Sequence, residues 1–144
     1  ETALLVPTLA GEPSGHADMF LTFLAPDLVV VGSMDQAADE ENAALLDKIA
    51  EDLEAMPTLA GPLRVERIGQ PDHDDGVWRT YTSVVFANGV VLVPVYPDYC
   101  PDLDARALDF YRKHLSEREI VPIDCSRLVR NGTTLRSITL TVPR

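Results

Sequence analysis

One order of elements, a hairpin followed by a helix and a strand, occurs twice along this 144-residue chain and restricts its fold more than any other feature. In the first copy, apolar runs at 19–24 and 28–31 are separated only by Ala25-Pro26-Asp27, which predicts a β-hairpin. Apolar residues at i, i+3, i+4 and i+7 then predict an amphipathic helix: Leu46, Ile49, Ala50 and Leu53. The alternating segment 63–68 predicts a half-buried strand. Repeat one therefore covers residues 16–68.

The ends of this first helix also have sequence signals. Ser33-Met34-Asp35-Gln36 has the form of a capping box, and the acidic stretch 39–41 suits the positive end of a helix dipole. Pro57 is expected to stop the helix. Before the repeat, residues 4–9 predict a strand that leads into a glycine- and proline-rich loop at 11–15.

The second copy has the same order. Apolar runs at 81–86 and 90–95 flank Asn88-Gly89, a pair that favours the type I′ hairpin turn. A second amphipathic stripe predicts another helix: Leu103, Ala107, Phe110 and Tyr111. A strand at 120–123 completes repeat two, which covers residues 78–124, and a closing strand is predicted for 134–142. The strand-type and helix-type hydrophobic patterns, which occur twice in the same order, predict an α/β protein with two ββαβ repeats.

The length and net charge of the chain restrict the kinds of function that it can have. A chain of 144 residues forms one domain with a substantial core. Its net charge of −11 repels phosphate backbones and anionic lipid headgroups, so we expect neither nucleic-acid nor membrane partners. Two cysteines, Cys100 and Cys125, form no zinc or disulfide framework and leave the compartment open, with the cytoplasm favoured. The chain begins with Glu1, so we expect a processed, trimmed or partial chain.

The residue pair His16 and Asp18 is the first candidate for catalysis. The pair follows a glycine-rich loop, and in a strand residues i and i+2 point the same way. An imidazole beside a carboxylate can hold a cation and transfer a proton.

Other polar positions have both a functional and a structural interpretation. The acidic loop Asp72-His73-Asp74-Asp75 could bind a metal, but its spacing matches no EF-hand, and a solvated turn is the favoured interpretation. Trp78 and Arg79 could line a pocket at the mouth of the second hairpin, or form core and surface contacts. Cys100 precedes a helix, where a thiol pKa can be lowered. Cys125 and His114 are expected to be structural.

Five strings resemble, in order and spacing, the C-terminal half of agmatine deiminases and bacterial peptidyl-arginine deiminases. They are Gly15-His16-Ala17-Asp18-Met19-Phe20, Trp78-Arg79-Thr80-Tyr81-Thr82, the run at 88–94, the run at 104–108 and the run at 118–124. These enzymes modify guanidino groups and have the pentein fold, a five-bladed pseudosymmetric ring. The resemblance implies that residues 1–144 form a single partial pentein domain, with about two and a half ββαβ repeats of an α/β propeller.

The resemblance also implies roles for individual residues. His16 would transfer protons, Asp18 would clamp a guanidinium by paired hydrogen bonds, and Trp78 and Arg79 would contact the substrate. Ser137 stands where the family has its nucleophilic cysteine, and Arg136 stands where that cysteine has a histidine neighbour. A further clamp carboxylate of the family lies upstream of the matched half. No metal or organic cofactor is implied.

The expected function follows from this substitution. The ancestral reaction is hydrolysis of a guanidino group, as in agmatine or an arginine side chain, to a ureido group and ammonia. A hydroxyl is a poor replacement for a thiolate, so we expect impaired activity. The alternative is an inactive pseudoenzyme that serves as a binding or assembly module. Two and a half blades do not close a ring, so we expect a partner that supplies the remainder: a separate N-terminal chain or a second copy.

Overall fold

The computed structural model describes residues 5–58, 61–140 and 142. The elements, in chain order, are a 3-10 helix at Ala17–Met19, β1 (Leu21–Ala25), β2 (Leu28–Ser33), α1 (Glu40–Glu54), β3 (Pro57–Thr58), β4 (Gly61–Pro62), β5 (Arg64–Gly69), β6 (Val85–Ala87), β7 (Val90–Val95), α2 (Pro101–His114), β8 (Glu119–Asp124), α3 (Ser126–Val129) and a second 3-10 helix at Arg136–Ile138. The α/β class and the two repeats are confirmed.

Two three-stranded sheets have the same topology. In the first, β1 pairs antiparallel with β2, and β2 pairs parallel with β5 after the crossover through α1. In the second, β6 pairs antiparallel with β7, and β7 pairs parallel with β8 after the crossover through α2. A small two-stranded ladder joins β3 and β4. The described residues contain these three sheets and no closed barrel or ring.

The second hairpin has the turn that its sequence predicts. Asn88 and Gly89 have φ values of 48° and 86°, and they connect β6 to β7. Both angles lie in the left-handed region that a type I′ turn requires. Asn and Gly are the residues that adopt this conformation at the lowest steric cost. The turn therefore fixes the register in which Ala87 faces Val90.

The central strand β2 connects the two halves of the core. Val29, Val30 and Val31 are all fully buried, as expected for a strand covered on both faces. Because successive side chains alternate, Val29 and Val31 pack with α1, whereas Val30 joins the core of the second repeat. The first sheet is thus sandwiched between α1 and repeat two.

The predicted stripe of α1 is buried, but the predicted start of the helix is wrong. The helix begins at Glu40 with Asp39 as its N-cap, whose carboxylate accepts a hydrogen bond from the Asn42 amide at 3.0 Å. Ser33 instead ends β2, where its carbonyl accepts from the Gln70 amide. The acidic first turn is confirmed, since Glu40 and Glu41 occupy it.

Two predicted strands are absent from the described residues. In the segment predicted for 4–9, the described residues 5–9 have no regular secondary structure. The backbone of Ala10, the next residue, bonds to the buried side-chain amide of Asn42 instead of to a neighbouring strand. The closing strand predicted for 134–142 is a 3-10 helix at Arg136–Ile138, because its amides bond within the segment to carbonyls three residues back. Residues 141, 143 and 144 lie outside the described part.

None of the described helices is both long enough and apolar enough to cross a membrane.

Candidate active site

Three segments that are distant in sequence surround one cavity of about 300 Å³. They are the loop at 12–19, the loop at 76–78 and the segment 129–137. His16, Trp78 and Ser137 line it together. Three of the five residues that the sequence singled out are therefore brought to one place by the fold.

The first segment presents His16 but not Asp18. The sequence predicted that both side chains point the same way along a strand, and this is wrong, because residues 17–19 form a 3-10 helix. Such a helix has about three residues per turn, so residues three apart share a face and residues two apart do not. His16 and Met19 accordingly line the cavity together, and Asp18 is outside the lining.

Glu12 gives the loop before His16 its shape. Its carboxylate accepts hydrogen bonds from the Ser14 amide at 3.0 Å, the Ser14 hydroxyl at 2.8 Å and the Gly15 amide at 2.7 Å. Gly15 itself has a φ of 64°, a conformation that favours glycine. Glu12 also lines the cavity, and among the described lining residues it is the one carboxylate.

Asp18 points into the protein instead. Its Oδ2 accepts a hydrogen bond from the hydroxyl of Ser83 at 2.7 Å, and its carbonyl accepts from the hydroxyl of Thr82 at 2.8 Å. The same Ser83 hydroxyl accepts from the Arg136 amide at 3.4 Å. Asp18 is therefore connected to the segment that bears Ser137 through one buried side chain.

Trp78 is positioned by its neighbours in the 71–79 loop. Its ring stacks on that of His73, with ring centroids 3.8 Å apart and an interplanar angle of 20°. His73 in turn contacts Asp39, the N-cap of α1, through Nε2 at 2.8 Å. Trp78 therefore reaches the cavity from a loop attached to repeat one.

Arg79 does not reach the cavity, although the sequence made it a candidate substrate contact. Its buried guanidinium donates to both oxygens of Asp75, at 3.0 and 2.7 Å, and lies 3.5 Å from the centre of the Tyr99 ring. The bonds from Arg79 lower the pKa of Asp75 to about 2. This guanidinium already has the carboxylate and aromatic partners that a substrate guanidinium would need.

Ser137 lies in the second 3-10 helix and is solvent-accessible. Its hydroxyl is hydrogen-bonded to that of Thr134 at 2.9 Å. Arg136 is outside the lining of the cavity and borders a separate surface depression with Phe86. A different cation, Arg130, lines the cavity instead.

The acidic loop at 72–75 forms pairs and no metal cluster. Tyr99 donates its hydroxyl hydrogen to Asp72, Asp75 holds Arg79, and His73 contacts Asp39. Among the residues that the structure describes, no three histidine, cysteine or acidic side chains are grouped so as to hold a metal ion.

The two thiols lie in structural surroundings. Burial raises the pKa of Cys125 to about 11, and it also raises the pKa of Cys100, which lies 3.3 Å from the hydroxyl of Tyr81. The lowered pKa considered for Cys100 is thus wrong, because burial of the thiol raises its pKa. His114, the other residue expected to be structural, lies 3.8 Å from Glu66 and packs on Phe110.

Sequence reasoning missed two charged residues of the cavity. Glu12 was treated only as part of a turn; the available signal was an acidic residue just before Ser14-Gly15, whose amides need acceptors. Arg130 had no sequence signal, because it reaches the cavity from the loop that follows α3.

Comparisons with known proteins agree with the resemblance. The family model described as Porphyromonas-type peptidyl-arginine deiminase matches residues 3–143. The solved structure of the putative arginine deiminase from Porphyromonas gingivalis superposes with a TM-score of 0.84 at 28% identity, over 99% of this chain and 42% of that one. A search of curated proteins finds no match.

Two agmatine deiminases share the fold. That of C. jejuni has a TM-score of 0.75 and 20% identity, over 92% of this chain and 39% of its own. That of Enterococcus faecalis has a TM-score of 0.70 and 20% identity, over 86% of this chain and 39% of its own. The chain thus spans about two-fifths of the length of these structures. With the family model matching nearly every residue, the chain belongs to the Porphyromonas-type peptidyl-arginine deiminase family.

Proposed function

We propose that this chain forms part of a guanidino-binding site and lacks efficient deiminase activity. The ligand would be the guanidino group of agmatine or of an arginine side chain. The observation that carries the proposal is that His16, Trp78 and Ser137 line one cavity. Two of these residues match the proton-transfer and nucleophile positions of the family.

The chemistry of Ser137 supports impaired turnover. In the family reaction a thiolate attacks the guanidinium carbon, ammonia leaves, and water then releases the ureido product. A serine hydroxyl must lose its proton during attack, and general-base help supplies only about 10²- to 10⁴-fold. Within the described residues the hydroxyl of Ser137 bonds to Thr134, a neutral group that is not a base.

The charges in the cavity indicate that it needs further carboxylates. Glu12 and Arg130 both line the cavity, so its described lining has one negative and one positive side chain besides His16. A guanidinium ligand binds best to carboxylates that accept two hydrogen bonds. We therefore propose that polypeptide outside these 144 residues completes the site and supplies such a group.

A partner that completes the site would also complete the pentein ring of the family. The two ββαβ repeats would be two of five blades, and a separate chain or a second copy would supply the rest. Three apolar side chains that follow Ser137 are strongly exposed: Ile138 at 61%, Leu140 at 87% and Val142 at 75%. Light scattering and native mass spectrometry on undenatured material test this, and a stable 15.8 kDa monomer would refute it.

Binding is tested by calorimetry with agmatine against 1,4-diaminobutane, which has an ammonium in place of the guanidinium. We expect agmatine to bind more tightly, and Trp78→Ala to weaken its binding. Arg136→Ala is the control, because Arg136 is outside the cavity. Equal affinity for both ligands, or equal effects of the two variants, would refute the assignment of the cavity.

Turnover is tested by measuring ureido product from agmatine and from an arginine peptide. We expect little product from the unmodified chain. Ser137→Cys, assayed together with the completing partner, distinguishes an enzyme silenced at one position from a binding module. Recovered product supports the former, and no product despite agmatine binding supports the latter. Efficient turnover by the unmodified chain would refute the proposal.

A further inference from the structure

A single buried hydroxyl bridges the two turns that carry His16 and Ser137. Ser83 is fully buried, and its Oγ contacts Asp18 at 2.7 Å and the Arg136 amide at 3.4 Å. Asp18 lies two residues after His16, and Arg136 lies directly before Ser137. The partners of Ser83 are 65 and 53 residues away in sequence, so the contact is tertiary and not a local turn.

The direction of both hydrogen bonds is fixed by the partners. An ionised carboxylate only accepts, so the single hydroxyl hydrogen of Ser83 points to Asp18. A backbone amide only donates, so the Arg136 N–H points to a lone pair of the Ser83 oxygen. Donation to a charged acceptor makes an oxygen a better acceptor in turn, so the two bonds strengthen each other.

The Ser83 contact belongs to a network of buried hydroxyl groups that are hydrogen-bonded to one another and to Asp18. The neighbouring Thr82 donates its hydroxyl hydrogen to the Asp18 carbonyl and also contacts the hydroxyl of Thr80. Thr80, Thr82 and Ser83 are each nearly or fully inaccessible to solvent. Buried hydroxyls without partners are costly, and here each has one. Of these hydroxyls, that of Ser83 is the one that also bonds to the Ser137 segment.

We propose that Ser83 is a positioning residue that sets the Ser137 turn relative to the His16–Asp18 turn. The proposal deepens the proposed function, because it concerns the same cavity and assigns a role to a residue outside its lining. Arg136 is the first residue of the second 3-10 helix, so its amide has no partner within that helix. Ser83 accepts a hydrogen bond from this amide. It thereby fixes the position at which the helix begins, and with it the position of the Ser137 hydroxyl.

The test measures the Ser137 turn directly and uses no ligand. Amide hydrogen exchange at Arg136 is followed in the unmodified chain and in Ser83→Ala. We expect exchange to accelerate about tenfold, the change that follows from losing one hydrogen bond of ordinary net strength. Ser83→Thr retains the hydroxyl, so the protection of Arg136 should be retained.

Thiol alkylation in the Ser137→Cys background is a second readout. Removing the Ser83 hydroxyl should change the alkylation rate of the introduced thiol severalfold, because the turn that presents it is no longer fixed. Cys100 and Cys125 react slowly near neutral pH, since burial raises the pKa of both thiols. Peptide mapping assigns the modified position.

Thr82→Val is the matched control, since it removes a buried hydroxyl that contacts Asp18 but not Arg136. It should leave the exchange of Arg136 at the parent rate. Unchanged exchange in Ser83→Ala, or equal acceleration in both variants, would overturn the proposal. If Ser83→Ala does not fold, Asp18→Ala removes the acceptor that orients the Ser83 hydroxyl. Exchange at Arg136 should then accelerate by a smaller factor, and exchange at the parent rate would overturn the proposal. Agmatine binding is measured separately, so either proposal can fail alone.

Discussion

The loop that presents Trp78 depends on one ion pair, and its loss should destabilise the protein measurably. Arg79 follows Trp78, and its side chain is only 3% exposed. Its guanidinium donates two hydrogen bonds to Asp75, at 3.0 and 2.7 Å, and one to the Val77 carbonyl at 3.0 Å. The substitution Asp75→Asn removes the negative charge and directs an amide NH₂ at a group that can only donate.

The size of the effect follows from the unequal exposure of the partners. Removing one partner of a buried ion pair costs about 3–5 kcal/mol, because the remaining charge is left desolvated. Asp75 is 38% exposed, so water already screens the pair and reduces this cost. Arg79 also keeps the Val77 carbonyl and the Tyr99 ring. We therefore expect a loss of about 2 kcal/mol in the free energy of unfolding.

Urea unfolding followed by tryptophan fluorescence measures this loss, because Trp78 is the single tryptophan of the chain. Asp74→Asn is the matched control: it removes the same charge from the adjacent, exposed position. A surface change of this kind should stay within about 0.5 kcal/mol. If the two variants unfold at the same urea concentration, Arg79 is not held by Asp75 in the way the geometry indicates.

Three further predictions concern the fold and its pH dependence. Asp104→Asn should cost about 2 kcal/mol, because its buried carboxylate accepts from the Tyr96 amide. Asp102→Asn, at an exposed position in the same helix turn, is the control, and thermal unfolding compares the two variants. Leu46→Ala should cost about 3 kcal/mol in urea unfolding, because this side chain is fully buried. The pKa of Asp75 is lowered from 3.8 to about 2 on folding, so its contribution to stability is complete above pH 4 and is lost as the pH falls towards 2. Acid titration of Asp75→Asn should show a smaller loss over that interval than the parent does.

Local sequence patterns were sufficient to predict the order of strands and helices in both repeats, but of the predicted strand 81–86 only Val85 and Phe86 lie in β6. The stripe Leu46, Ile49, Ala50 and Leu53 is buried, and the Asn88-Gly89 turn has the predicted positive φ values. These predictions succeed because periodicity and turn chemistry act over a few residues. Residue chemistry singled out His16 and Trp78, and the resemblance added Ser137; hydrophobic periodicity identifies none of the three.

Hydrogen bonds that the sequence pattern does not show explain two of the differences. Asp18 faces Ser83 and not the cavity, because residues 17–19 form a 3-10 helix in place of a strand. Arg79 is withdrawn from the cavity by Asp75, four residues before it in sequence. In each case the residue type suits a substrate contact, but the side chain is already hydrogen-bonded to another residue of the protein. A sequence shows which groups can bind a guanidinium or a carboxylate, whereas the fold decides whether they are already occupied.

The segment that follows Leu135 shows another limit of the same kind. Its alternating apolar residues predict a strand, yet a strand forms only where a neighbouring strand accepts and donates its backbone hydrogen bonds. In the described residues, the amides of Ser137, Ile138 and Thr139 instead bond to carbonyls three residues back, and Ile138 and Leu140 remain exposed. An alternating pattern specifies which face is to be buried, but not which surface buries it. The proposed partner would remove this difference between the predicted strand and the exposed segment. It would offer a sheet edge to the backbone of residues 138–140 and cover their apolar side chains.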